Sequence, residues 1–83
     1  MAVELSNLKI DKAVDARGTA CPGPLLEAKR AIASVPMEGI LEVLSSDKGT
    51  TEDIPLWANK VGHEYLGNIA DSGYWRLFVR RSK

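Results

Sequence analysis

The sequence predicts an α/β fold: a two-layer sandwich, β-α-β-α-β-β, with a mixed four-stranded sheet and two helices on one face. Three observations carry this expectation. Short branched or aromatic runs alternate with segments of helical periodicity, two of those segments bear a single apolar stripe each, and the last two strand-like runs flank the tight turn "DSG". Two helices with one apolar stripe apiece need one shared surface to bury, which a sheet supplies. With 83 residues, 45% of them hydrophobic, the chain can bury one core and not two. Residues 1–12 read as an N-terminal extension, the one segment expected to be loose, and residues 13–83 as the domain.

Taken in order, "AVDA" (Ala13 to Ala16) is a short strand ended by "RGT", where Gly18 takes a positive φ at little cost. From Leu25, the apolar residues Leu25, Ala28, Ile32 and Val35 recur at helical spacing, with Glu27, Arg30 and Ser34 opposite. Pro36 and Gly39 stop this helix. "ILEVLS" (Ile40 to Ser45) is a buried strand, and "SDKGTT" after it is turn chemistry. Ile54, Trp57, Ala58 and Val61 form the stripe of a second helix ended by Gly62. Thr50, Thr51 and Asp53 are all able caps, but Pro55 is expected only in a first turn, which leaves the start open over about three residues. "EYLGNIA" and "YWRLFVR" are the final strands. In the second of these, Trp75, Leu77 and Val79 point one way and Tyr74, Arg76, Phe78 and Arg80 the other. Trp57 and Trp75 fall on apolar faces and are expected in the core.

Composition excludes several function classes. Eleven basic against eleven acidic side chains give no net charge, which argues against a dedicated nucleic-acid or membrane-surface binder. The distribution is less even. Residues 38–71 carry seven acids and two bases, while residues 72–83 carry Arg76, Arg80, Arg81 and Lys83 with no acid; an ordinary solvated edge is the simplest account of that basic segment. No apolar run approaches the roughly 20 residues that span a bilayer, and the start lacks the features of a secretory signal. A soluble, cytoplasmic protein is expected. One cysteine and one histidine cannot build a closed zinc site of four such ligands, so neither a metal nor another cofactor is expected.

The cysteine, Cys21, lies in "TACPGPLLEAK". A lone cysteine in a small domain is ordinarily a buried, inert residue. Here its setting differs. A residue before proline is pushed out of the α region, and Pro22 and Pro24 suit a first helical turn, whose N–H groups have no partners to lose. If the helix begins at Pro22, the Gly23 N–H is second in the helix and reaches a sulfur at the cap. If it begins at Pro24, Gly23 is the cap and Cys21 lies one step further out. In both cases the thiol faces a positive helix end, which favours the thiolate and draws its pKa below the usual value near 8.5. Arg17 and Lys29 add to that potential if they lie close by.

Right-handed crossovers make the first two strands parallel, so their following loops share one edge of the sheet. That brings "TACPG" to the same rim as "SSDKGTT", where open α/β sheets usually keep their sites. Asp47, Thr50, Thr51 and Asp53 are the rim candidates, with turn-making and capping as their plainer task. His63 follows a helix end and is expected to be an exposed surface residue, since nothing supplies the orienting third group of a triad.

The chain from Val14 to Arg81 resembles the TusA/SirA-like family of small sulfur-carrier proteins. "DARGTACPGPLLEAKRAI" is similar to that family's CPxP signature after a D-x-x-G turn, and "TTEDIP" (Thr50 to Pro55) to its second marker, T-T-x-D-I-P. The resemblance implies that Cys21 is the catalytic residue of a sulfurtransferase. It would accept sulfane sulfur as a persulfide from a cysteine desulfurase or rhodanese-like donor and pass it to an acceptor protein, in tRNA thiolation or in dissimilatory sulfur metabolism. Arg17, Pro22, Gly23, Pro24, Leu25, Asp47, Thr50, Thr51 and Asp53 are the expected contacts of substrate or partner. No organic cofactor, metal, nucleic acid or membrane is expected, and the protein should be a monomer or weak dimer. The chain departs from the family pattern at Gly23, where tRNA-thiolation members often carry an acid, and at Glu52, where a base is common. Two other classes compete: a non-catalytic interaction or regulatory module, and an RNA binder using Arg76, Arg80 and Arg81.

Overall fold

The computed structural model describes residues 9–19 and 22–83. Residues 1–8 of the expected extension, together with Ala20 and Cys21, lie outside the described residues. The elements follow the expected order: β1 (Lys12–Asp15), α1 (Gly23–Ile32), β2 (Ile40–Ser45), α2 (Thr50–Val61), β3 (Glu64–Asp71) and β4 (Tyr74–Arg80). They build a mixed four-stranded sheet in the order β1-β2-β4-β3, with β1 and β2 parallel and the other two pairs antiparallel. A parallel first pair is what a right-handed crossover through α1 requires. No helix among the described residues is long and apolar enough to cross a membrane.

The core lies between the two helices and one face of the sheet. Ala28, Ala31 and Ile32 of α1 and Ile54, Trp57 and Ala58 of α2 meet Leu41, Val43, Leu77 and Val79, with Val14, Leu25, Tyr65 and Trp75 packed at its border. The period-2 alternation of β4 is kept: Leu77 and Val79 enter this core, while Arg76, Phe78 and Arg80 face the other way. Phe78 and Ile40, on that second face, are also buried.

Three details depart from the sequence expectation. Helix α1 ends at Ile32, and the chain continues in tight turns, Ser34 N–H to Ala31 O at 2.9 Å and Val35 N–H to Ile32 O at 3.1 Å, that still deliver Val35 to the core. Helix α2 starts at Thr50 behind Gly49, so Thr50, Thr51 and Asp53 are helical residues and not caps, and Pro55 sits in the helix interior. Val61, counted in the α2 stripe, is 40% exposed, because the helix closes there: Gly62 turns left-handed at φ +90°, and both its own N–H and that of His63 bond to the Ala58 carbonyl.

Candidate functional site

The site is built from the loops that leave the parallel pair β1 and β2 at their common edge. After β1, Ala16 N–H donates to Leu44 O at 2.8 Å and continues the pairing. Gly18 then turns with φ +83°, as its position in "RGT" predicts, and its N–H donates to Ser46 Oγ at 2.8 Å. That bond joins the two loops across 28 residues. Thr19 is held in turn, its hydroxyl donating to Ala16 O at 2.6 Å. Gly18, Thr19, Ser46 and Asp47 line a shallow dent of about 240 Å³ at the rim.

Cys21, the expected catalytic residue, lies outside the described residues, but both sides of its segment are defined. Helix α1 begins at Gly23, with Pro22 as its cap and Leu26 N–H donating to Pro22 O at 2.9 Å. This falls between the two starts considered from sequence, and it makes Gly23 the first helical residue and Pro24 the second. Of the first-turn N–H groups, Pro24 has none, and those of Gly23 and Leu25 have no intrahelical acceptor. A Cβ on Gly23 would lie 3.1 Å from Thr19 Cβ, so residues 19 and 23 pack against each other on either side of the cysteine segment.

The second loop is closed by hydroxyls. Ser45 Oγ–H donates to Thr50 Oγ1 at 2.9 Å, and the Asp47 N–H returns to Ser45 Oγ at 3.1 Å. Thr51 Oγ1 donates to Lys48 O at 2.7 Å. Thr50 is fully buried in this arrangement, and so is Pro24. Their side chains stand at the starts of the two helices, on the inside. Pro22 and Arg17 are exposed, and Gly23, Leu25, Asp47, Thr51 and Asp53 are half-buried. Asp53 stands apart from the dent, in a furrow between the helices with Leu25, Lys29, Leu56, Trp57 and Lys60.

Of the two charges considered for the thiol, Arg17 is paired with Asp15 and Lys29 lies toward the far end of α1. The Arg17 guanidinium grips Asp15 through Nε–Oδ1 and Nη2–Oδ2, both at 2.8 Å, and stacks 4.8 Å from the centre of the Tyr74 ring. The paired guanidinium draws the Asp15 carboxyl down to about 2. Lys29 lies in the last turn of α1, about 9 Å along the axis from Gly23. The α1 N-terminus is a source of positive potential at this rim.

The segment 72–83 does not assemble a basic cluster. Arg76 bonds Glu42 at 2.7 Å and Arg80 bonds Glu64 at 3.0 Å on the sheet face away from the helices. Arg81 caps the end of α1, donating to Val35 O at 2.7 Å.

The family described as Sulfurtransferase TusA matches residues 12–81. The chain belongs to the TusA family. A putative sulfur carrier protein of Archaeoglobus fulgidus is 44% identical to it over 70 residues, spanning 84% of this chain and 96% of that protein. Sulfur carrier protein TusA of Pseudomonas syringae pv. syringae is 31% identical over 81 residues, spanning 98% of this chain and 96% of the other. The crystal structure of a SirA-like protein from Desulfitobacterium hafniense shares the fold, with a TM-score of 0.75 at 23% identity over 87% of this chain and 99% of that one.

Two residues of this TusA-family chain escaped the sequence reading. Ser46 joins the rim loops, and its only signal was its place directly after a strand on the shared edge. His63, expected at the surface, is half-buried, with Nδ1 accepting the Ser82 N–H at 3.1 Å and its ring edge-on to Trp57 at 5.6 Å.

Proposed function

We propose that this chain is a sulfur carrier in which Cys21 takes up sulfane sulfur as a persulfide from a donor protein and hands it to an acceptor protein. The observation that carries the proposal is the start of α1 at Gly23, two residues after Cys21, on the edge of the sheet where the parallel strands end. A helix N-terminus stabilises a sulfur anion, and the names of the A. fulgidus and P. syringae relatives support sulfur as the cargo.

The chemistry needs little more than that. The Cys21 thiolate attacks the terminal sulfur of the donor's cysteine persulfide; a new S–S bond forms, the donor's S–S bond breaks, and the donor leaves as a thiolate. Delivery repeats the displacement with roles exchanged: an acceptor nucleophile takes the terminal sulfur and Cys21 leaves as thiolate. The helix end serves both halves, stabilising Cys21 first as nucleophile and then as leaving group. No electrons are gained or lost overall. Pro22, Gly23 and Leu25 beside the cysteine, with Arg17, Asp47 and Thr51 along the rim, are the surface a donor or acceptor would meet. Asp53, in the furrow between the helices, borders it.

Intact-mass measurement after incubation with a persulfide donor tests the proposal. Wild type should gain about 32 Da per sulfur atom carried on the thiolate, and Cys21→Ser nothing. Equal loading of both would overturn it.

A further inference from the structure

We infer that residues 82 and 83 form a strap whose Ser82 end is latched by His63 and let go by acid. The contacts that make the strap lie at the end of the helix layer away from the cysteine segment, where α1 and α2 both finish. His63 follows the left-handed Gly62 that closes α2, and its ring is fixed edge-on against Trp57 at an interplanar angle of 62°. The Ser82 backbone N–H donates to its Nδ1 at 3.1 Å. Lys83 then crosses Gly62, its Cε 2.8 Å from where a Cβ would stand.

The residue before the strap is anchored by bonds that do not titrate. Arg81 N–H donates to Gly39 O at 2.9 Å, and Arg81 O accepts the Glu38 N–H at 2.8 Å. Its guanidinium donates to Val35 O at 2.7 Å and Ala33 O at 3.3 Å. The Ser82–His63 bond, in contrast, exists only while Nδ1 has no proton. Protonated imidazole is a donor at both nitrogens, so a proton on His63 sets one N–H against another.

The surroundings oppose that proton at neutral pH. Arg81 and Lys83 approach from the strap, while Lys60 of α2 and Lys29 of α1 line the same hollow as His63, together with Ile32, Trp57 and Val61. Glu64 of β3 is the adjacent acid, and its carboxylate is engaged with Arg80. Burial and the surplus of cations together hold His63 below the usual imidazole value. The latch is therefore complete above about pH 6.5 and opens as acid carries the pH below that, through the lowered pKa. Opening frees the Ser82 N–H, while Arg81 stays bound and its Nε still donates to the Lys83 carbonyl at 2.8 Å.

Amide exchange followed by NMR on the whole chain between about pH 7.5 and pH 5, where imidazoles titrate, tests the inference. After correction for intrinsic exchange, Ser82 should lose protection about five- to tenfold, the worth of one backbone hydrogen bond, as the His63 ring titrates. Arg81 should keep its protection. His63→Asn offers an oxygen acceptor that does not titrate and should flatten the pH response. His63→Phe keeps a ring on Trp57 without an acceptor and should leave Ser82 unprotected throughout. Protection of Ser82 that is independent of pH in wild type, or unchanged in His63→Phe, overturns the strap.

Discussion

Arg17 stands four residues before Cys21, yet little of its charge is available to a thiolate there. Its guanidinium is matched atom for atom to the Asp15 carboxylate, and both side chains are in contact with solvent at 44% and 55% exposure. Asp15 consequently titrates near 2 in the folded chain, against an ordinary 3.8. The sign follows from the depressed value: whatever stability the pair adds is complete above the ordinary pKa and is lost as the pH falls through about 2. Because the pair is exposed, the stability change is small, and the titration itself is the sharper readout. In Arg17→Ala, the Asp15 carboxyl carbon followed by NMR should titrate above about 2, toward the ordinary 3.8, with the retained backbone N–H of residue 17 on Oδ1 keeping it below that value. A midpoint that stays near 2 would show that the loop backbone, rather than the guanidinium, holds the carboxylate.

Among the elements, α2 shows where sequence reasoning is strong and where it stops. Its apolar stripe is legible because Ile54, Trp57 and Ala58 recur at helical spacing and meet one partner surface. Its start stays open over about three residues in the sequence because Pro55 reads as a first-turn residue, whereas the helix begins five residues before that proline, at Thr50. What moves the start is the buried Ser45–Thr50 hydroxyl pair, a contact between a strand end and a helix start that periodicity does not encode. Pro55 has no N–H for the Thr51 carbonyl and costs the helix that bond. Pro55→Ala should therefore raise stability by about 2 kcal/mol, the roughly 3 kcal/mol propensity gain reduced by the extra freedom of the unfolded chain. Urea unfolding would show this as a higher midpoint at unchanged slope. A lower midpoint would mean that the proline ring makes packing contacts worth more than the missing bond. The site divides in the same way: two prolines and a glycine advertise the helix start after Cys21, while Ser46 and the His63–Ser82 bond join residues 28 and 19 positions from their partners and leave no local mark.

At the scale of the molecule, the sheet has a face covered by helices and a face held by its own side chains. On the second face, Arg76 Nε donates to Glu42 Oε2 at 2.7 Å, and its guanidinium lies 5.5 Å from the centre of the Phe78 ring. Phe78 is fully buried, and the Glu42 side chain keeps only 11% of its exposure. Of the three arginines named for the competing RNA-binding class, Arg76 and Arg80 are paired with Glu42 and Glu64 and Arg81 is bonded to backbone carbonyls. Arg76→Ala should cost about 2–3 kcal/mol, less than the 3–5 typical of a fully buried pair because Arg76 is partly wet, since it strands Glu42 and bares one side of Phe78. Replacing both charges with apolar groups, Glu42→Leu with Arg76→Met, should return stability to within about 1 kcal/mol of wild type, because the desolvation cost of the carboxylate disappears with it. Urea midpoints of wild type, single and double variants measure both. A cost for Arg76→Ala under about 0.5 kcal/mol would place the pair among ordinary surface ion pairs, and the second face would then owe its order to apolar contact alone.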